Sequence, residues 1–289
     1  MAYSATNISP KRFHRGQIKL YAVLIPIALF MLLPIIYICN HAFKPIEELF
    51  AYPPRFFVSQ PTMENFRRLG SLAASSDIPL SRYVFNSVIV TVSVVVLTAV
   101  ISTMGGYALS KMKFRGRVFL LEVNNIFLMF VPITVAIPRY LVVQFSGIAN
   151  TYLAHILPLL AMPVGLFLVK QFIDQIPDSL LEAAAIDGAS EWKAYCRIVL
   201  PLITPAVATA CILAFQTVWG YVESSTLYVE SEGKKTLAFF MNTLTSNSNI
   251  VAGQGMAAAS ALIMFIPNIA LFILLQSRVM NTMAQSGIK

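Results

Sequence analysis

The residues whose types and spacing could do chemistry are concentrated in one run, Glu182-Ala183-Ala184-Ala185-Ile186-Asp187-Gly188-Ala189-Ser190-Glu191-Trp192-Lys193-Ala194-Tyr195-Cys196-Arg197-Ile198-Val199-Leu200-Pro201. The spacing predicts a short helix, a glycine break, a second short helix and a proline stop. Asp178 or Ser179 can cap the first helix, and Glu182 falls in its early turns, where a negative charge is favoured. Small side chains at Ala183, Ala184 and Ala185 leave a low surface that a partner can approach. Asp187 precedes Gly188, which can take a left-handed backbone angle. Trp192 and Tyr195 are three apart and share a helical face. Ile198, Leu200 and Pro201 close the run. The segment is too polar to span a bilayer and reads as a docking element, with no catalytic group assigned to it.

Other polar residues lie in apolar surroundings. Glu122, Asn124 and Asn125 have two readings, interhelical packing or gating on one side and substrate contact on the other; Glu122 could pair with Arg115 or Arg117. Gln216, Trp219, Tyr221 and Glu223 form an aromatic-plus-polar set. Such a set suits sugar faces and hydroxyls, but Trp and Tyr also belt membrane interfaces. Arg139 reads as an interface anchor and His155 as a satisfied packing residue. Cys39, Cys196 and Cys211 are widely spaced, without a CxxC or Cys/His cluster, so neither zinc nor a disulfide framework is expected. No GxxxxGK[ST] phosphate loop is present; Gly233-Lys234-Lys235-Thr236 lacks the upstream glycine.

The elements that must position these residues are set by composition. The chain is 57% hydrophobic and 12% charged, against about 45–50% apolar and about 25% charged in a soluble domain. The apolar residues fall in blocks of spanning length, about 20 residues each. Six spans are expected: Leu20–Phe43, Tyr83–Leu109, Val118 to about Gln144, about Thr151–Phe172, about Leu202–Val222 and about Gly253–Met280. The fold class is therefore all-α, a polytopic membrane helix bundle with six transmembrane helices and a polar cytoplasmic loop at about 173–201. Residues 1–19 and 282–289 are cytoplasmic tails flanking a transmembrane domain over 20–281. The first block is too long for a signal peptide core, and no small-residue cleavage site follows it.

Orientation follows Lys and Arg. With both termini inside, thirteen basic residues face the cytoplasm and eight face out. The bias is sharpest in the short loop Ser110–Arg117, which holds Lys111, Lys113, Arg115 and Arg117 and no acid. The net charge of +8 therefore reads as membrane anchoring, not nucleic-acid binding, since no basic stripe with interleaved aromatics occurs. Two related halves or mid-membrane charges would mark a stand-alone secondary transporter; neither is evident.

The order EAA, three residues, Gly, nine residues, Ile-x-Leu-Pro, carried by Glu182, Ala183, Ala184, Gly188, Ile198, Leu200 and Pro201, resembles the EAA motif of ABC importer permeases. Met63-Glu64-Asn65-Phe66, Asn86-Ser87, Ser110-Lys111 with Phe114-Arg115-Gly116-Arg117, Ile176-Pro177-Asp178 and the ending Gln276-Ser277-Arg278 through Gly287-Ile288-Lys289 resemble the maltose-type carbohydrate permeases, and within them the second membrane subunit. Trp219-Gly220 departs from the Trp-Asn of many relatives. The resemblance implies a bacterial inner-membrane subunit that carries a carbohydrate, most simply an oligosaccharide, and makes 173–201 a cytoplasmic coupling-helix loop that sits in a groove of the ATPase. A non-sugar solute such as a peptide or polyamine is the alternative. It also implies partners: a second homologous permease, two cytoplasmic ABC ATPase subunits that bind the ATP and Mg, an extracytoplasmic solute-binding protein and membrane lipid. No cofactor is expected in this chain.

Overall fold

The computed structural model describes residues 17–246 and 252–286. The basic residues Lys11, Arg12 and Arg15 and the ending Gly287-Ile288-Lys289 lie outside the described residues. Among the described residues the chain is helical, without strands. In order the longer helices are α1 (Ile18–Phe43), α2 (Glu64–Ala74), α3 (Leu80–Lys111), α4 (Arg117–Met129), α5 (Ala136–Phe145), α6 (Tyr152–Leu160), α7 (Pro163–Asp174), α8 (Asp178–Ile186), α9 (Glu191–Leu202), α10 (Thr204–Trp219), α11 (Leu237–Ser246) and α12 (Ala252–Ser286).

Among the described residues, α1, α3 and the Gly253–Gln276 part of α12 are the single helices long and apolar enough to cross a membrane. Three pairs of helices reach that length and apolarity only when taken together, each bent at a short break: α4 with Pro132–Phe145, by 109°; α6 with α7, by 45°; and α9 with α10, by 76°. The expected six apolar blocks are therefore present, but three are not straight rods. In the third block Phe130 and Val131 are extended, with ψ of 131° and 130°, just before Pro132. A residue preceding proline is pushed out of the helical region by the pyrrolidine ring. The same effect separates α6 from α7 at Met162, ahead of Pro163, where ψ is 81°. Pro158, by contrast, stays inside α6.

The proline stop expected at Pro201 is corrected. Helix α9 runs through Pro201 to Leu202, and the corner comes at Ile203 (φ −94°, ψ 5°). A π-helical turn over Tyr195–Val199 precedes the proline, with the Leu200 N–H bonded to the Tyr195 carbonyl. This wider register shifts the carbonyls that would otherwise meet the ring, so the helix can pass over it. The fifth span, expected over Leu202–Val222, shortens to the 16 residues of α10.

Contacts divide the chain into two bodies, Met1–Arg68 with Asn249–Leu262 and Leu69–Ser248 with Ile263–Lys289. In the first, buried Asn65 donates from Nδ2 to the carbonyls of Ala42 (3.0 Å) and Lys44 (2.9 Å). These bonds close the end of α1. The second body is a helix bundle centred on α3. Its buried face carries Asn86, Ser87, Thr91, Thr98, Ser102 and Thr103 among Val90, Val94 and Tyr107, while Val92, Val96, Val100 and Ile101 are exposed. Polar inside and aliphatic outside is the distribution that lipid tails favour, since they are as apolar as a leucine. Gly105 and Gly106 let α7 approach α3: a Cβ on Gly106 would stand 3.2 Å from Val169 Cγ1, and one on Gly105 3.3 Å from Leu166 Cδ1. One core joins Tyr107, Val169, Ile173, Tyr195, Val199 and Ala210. A second joins Tyr83, Trp219, Leu237, Phe240 and Met241.

Candidate docking loop and polar path

Helix α8 starts after Pro177, which takes extended angles (φ −59°, ψ 135°). Asp178 is its first residue and not its cap. The carboxylate is turned away to Lys111, whose Nζ donates to Asp178 Oδ1 at 2.6 Å and to the Ile176 carbonyl at 2.6 Å. Glu182 and Ala183 are exposed, whereas Ala184 is buried.

The end of α8 is a glycine cap. Gly188 is left-handed (φ 77°), its N–H donates to Ala185 O (3.0 Å), and the Ala189 N–H reaches Ala184 O (2.9 Å). This pair of bonds closes the last carbonyls of a helix whose following residue adopts the left-handed angle. Two residues on, Ser190 caps α9: its Oγ accepts from the Lys193 N–H at 3.3 Å. A serine cap is worth about 1 kcal/mol. The run from Ala185 to Lys193 is thus a cap followed at once by another cap, which makes a defined corner between the two helices.

Trp192 and Tyr195 do share a face, their rings 5.3 Å apart. Yet Trp192 is 62% exposed and Tyr195 only 5%. The Tyr195 ring packs against Tyr107 at 5.4 Å, and its hydroxyl is 2.8 Å from Thr103 Oγ1. Ile198 and Leu200 are half-buried and Pro201 is exposed. The outward surface of the loop is therefore Glu182, Ala183, Asp187, Gly188 and Trp192, joined by Ile186, which is 87% exposed. Ile186 was missed from sequence. Its signal was an isoleucine placed directly before the Asp-Gly break, where no helical neighbour follows to cover it.

The proposed path residues separate into two groups. Gln216 and Asn125 stand exposed, and Asn124 makes one long contact, Nδ2 to Pro163 O at 3.5 Å. Trp219, Tyr221 and Glu223 are engaged within the chain. Trp219 is buried, donates from Nε1 to Met264 O (3.1 Å) and stacks on Phe215. Arg139 donates to the Tyr221 hydroxyl (2.8 Å) and to Pro132 O (2.9 Å), and it faces Glu223 Oε1 at 3.8 Å. Arg139 is thus more than an interface anchor, because it ties the break after α4 to the segment after α10. Tyr228 donates to Glu223 Oε1 at 3.1 Å; burial, then the Glu223 carboxylate, push its hydroxyl pKa up to about 12. Glu122 is exposed, and Arg117 donates instead to Ser110 O at 3.1 Å.

His155 is fully buried, with Nδ1 2.8 Å from Ser224 Oγ and Nε2 3.1 Å from Lys234 O. Both ring nitrogens have partners, as a packing histidine requires. Asn150, another residue not singled out from sequence, is left-handed (φ 56°). It binds Tyr228 O, the Ser231 N–H and the Lys234 ammonium, and so pins the segment after α10. Asparagine is enriched at that backbone angle, which was the available signal. Among the described residues no group of His, Cys, Asp and Glu could hold a metal ion.

A helical membrane protein with an exposed, double-capped helix corner is the class that these observations define. The family model described as "binding-protein-dependent transport system inner membrane component" matches residues 68–277. The chain belongs to that family. It is 28% identical over 260 residues to the sulfoquinovosyl glycerol transport system permease protein SmoH of Agrobacterium fabrum, covering 89% of each chain. It is 29% identical over 245 residues to the maltose/maltodextrin transport system permease protein MalG of Vibrio parahaemolyticus, covering 79% of this chain and 82% of that one. A solved bacterial ABC transporter involved in the import of the acidic polysaccharide alginate contains a chain with TM-score 0.75 and 21% identity, covering 93% of this chain and 99% of that chain. That likeness speaks for the fold.

Proposed function

We propose that this chain is one permease subunit of an ATP-driven importer, that it forms half of the path for a carbohydrate, and that the loop around Gly188 docks a separate ATPase. Family membership and the carbohydrate names of the similar permeases support the cargo class. The observation that carries the docking reading is the exposed corner at Gly188. Glu182, Asp187, Ile186 and Trp192 combine charge with uncovered apolar surface on a segment too polar to enter lipid. Exposed apolar patches rimmed by charge mark protein contacts.

In this reading the ATP and Mg belong to two partner ATPase subunits. A second permease chain completes the path, and a solute-binding protein delivers the cargo from outside. Both termini face the cytoplasm, in the inner membrane of a bacterium. Gln216, Asn124 and Asn125 offer amide groups for sugar hydroxyls. Trp219, Tyr221 and Glu223 hold the end of α10 in place.

The test is co-expression with the candidate partner genes, purification and reconstitution. The expected result is a heteromeric complex that takes up one of a labelled panel: maltose, maltotriose, sulfoquinovosyl glycerol or an alginate trisaccharide. The isolated chain should neither bind nor hydrolyse ATP. Uptake of a dipeptide or putrescine in place of every sugar would refute the cargo, and substantial ATP turnover by the chain alone would refute the division of labour.

A further inference from the structure

Helix α3 is unbroken over 32 residues. Thr103, Tyr107 and Lys111 lie four residues apart at its end and therefore on one face. Each reaches a different point of the α8–α9 corner. Lys111 Nζ holds the start of α8, through the Ile176 carbonyl and Asp178 Oδ1, both at 2.6 Å. The Tyr107 hydroxyl donates to Glu191 Oε2 at 2.7 Å, at the start of α9. Thr103 Oγ1, which bonds back to Ala99 O at 2.7 Å, is 2.8 Å from the Tyr195 hydroxyl one turn further along α9.

These contacts bridge 67, 84 and 92 residues of sequence. The two arms are joined through the capped turn at Gly188, and Leu181 of α8 packs on the core that holds Tyr195 and Val199 of α9. The corner is therefore one unit, and bonds from both of its arms to a single rigid helix tie its movement to that helix.

We infer that Thr103, Tyr107 and Lys111 form a transmission ladder: positioning residues that convert movement of the α8–α9 corner into movement of α3. The inference rests on the importer reading above. The core around α3 also includes residues of α7, α9 and α10, so displacing the bar displaces the bundle around it. The chemistry of the rungs suits this role. Lys111 is 11% exposed at its side chain while Asp178 is 75% exposed, so the ammonium is the anchored end and the carboxylate the end that travels with the loop. Energetic coupling over such distances runs through rigid elements and bonded side chains, and it is established only by measuring coupling.

The experiment uses the complete importer in proteoliposomes, with labelled maltose or whichever member of the sugar panel the wild type carries. It compares Tyr107→Phe, Lys111→Met, the pair together and Lys111→Arg. Four quantities are read: ATPase association, ATP hydrolysis, uptake and sugar molecules carried per ATP. Association and hydrolysis should be kept in all variants. Sugar carried per ATP should fall about tenfold for Lys111→Met, which loses both the Ile176 carbonyl and the exposed Asp178 carboxylate. The double variant should fall further, and Lys111→Arg should restore most of the ratio. An unchanged ratio, whether or not uptake and hydrolysis fall together, overturns the ladder. Loss of ATPase association in the variants also overturns it, because these residues would then serve assembly and not transmission. A wild-type chain that recruits no ATPase is a different result: it removes the importer reading itself, and the ladder with it.

Discussion

Replacing Gly188 isolates backbone geometry from packing. The residue sits at φ 77°, and a Cβ there would meet nothing within 4 Å. Side-chain size therefore carries no steric cost, and only the left-handed angle discriminates. For an ordinary L-residue that angle costs about 1–2 kcal/mol. Asparagine tolerates it, alanine takes the lower end, and a β-branched residue is a genuine outlier. The expected order of damage is Asn below Ala below Val, although Asn and Val are similar in bulk. If Gly188→Val leaves the docking geometry to relieve about 2 kcal/mol, the competent fraction falls about 30-fold. Because the Gly188 and Ala189 N–H groups also close the end of α8, the corner should fray as well. The assay is ATPase co-purification and sugar uptake at matched membrane levels for the three variants. Equal loss in Gly188→Asn and Gly188→Val would refute the backbone argument. Normal assembly and transport by Gly188→Val would refute the docking assignment.

Gly255→Ala would put a Cβ 2.5 Å from Asn65 Oδ1. Asn65 would have to release the Ala42 and Lys44 carbonyls, so a loss of about 1–3 kcal/mol is expected; an unchanged melting temperature in detergent would contradict it. A hydrogen bond from Lys111, ahead of charge attraction, holds the Asp178 carboxyl below its ordinary range. A lowered folded-state pKa stabilises above the unfolded value and stops doing so as pH falls through the folded value. The melting difference between wild type and Asp178→Asn should therefore be full at neutral pH and close in strong acid, and a difference independent of pH would refute the tie. In a chain stripped of Cys39, Cys196 and Cys211, a cysteine at Ser75 should react with an impermeant thiol reagent applied to intact cells. One at Gly116 should not, and labelling at 116 would reject the proposed orientation. Glu182→Ala should weaken ATPase association by about 2–5 kcal/mol if its charge meets a partner cation at a partly buried contact; unchanged association would remove Glu182 from the interface.

Local chemistry made much of this protein legible in its sequence. Six apolar blocks announce a helical membrane protein because the bilayer demands uninterrupted apolar length. Gly188 marks a helix corner because few residues accept a left-handed angle, whereas the cap at Ser190 came only from the structure. What the tertiary structure decided was which local signals prevail. Pro132 and Pro163 open breaks while Pro158 stays within its helix, and α9 passes Pro201 on a π-helical turn. Each proline removes the same N–H, and its effect depends on how the surrounding carbonyls are placed. Trp219 reads in sequence as part of a sugar path or interface belt and Tyr195 as part of a docking face, yet both turn inward onto partners supplied by distant helices. The contacts of Thr103, Tyr107 and Lys111 had no sequence signal at all. A threonine, a tyrosine and a lysine four apart are ordinary on any helix, and only the fold brings residues 67 to 92 positions away within bonding distance of them.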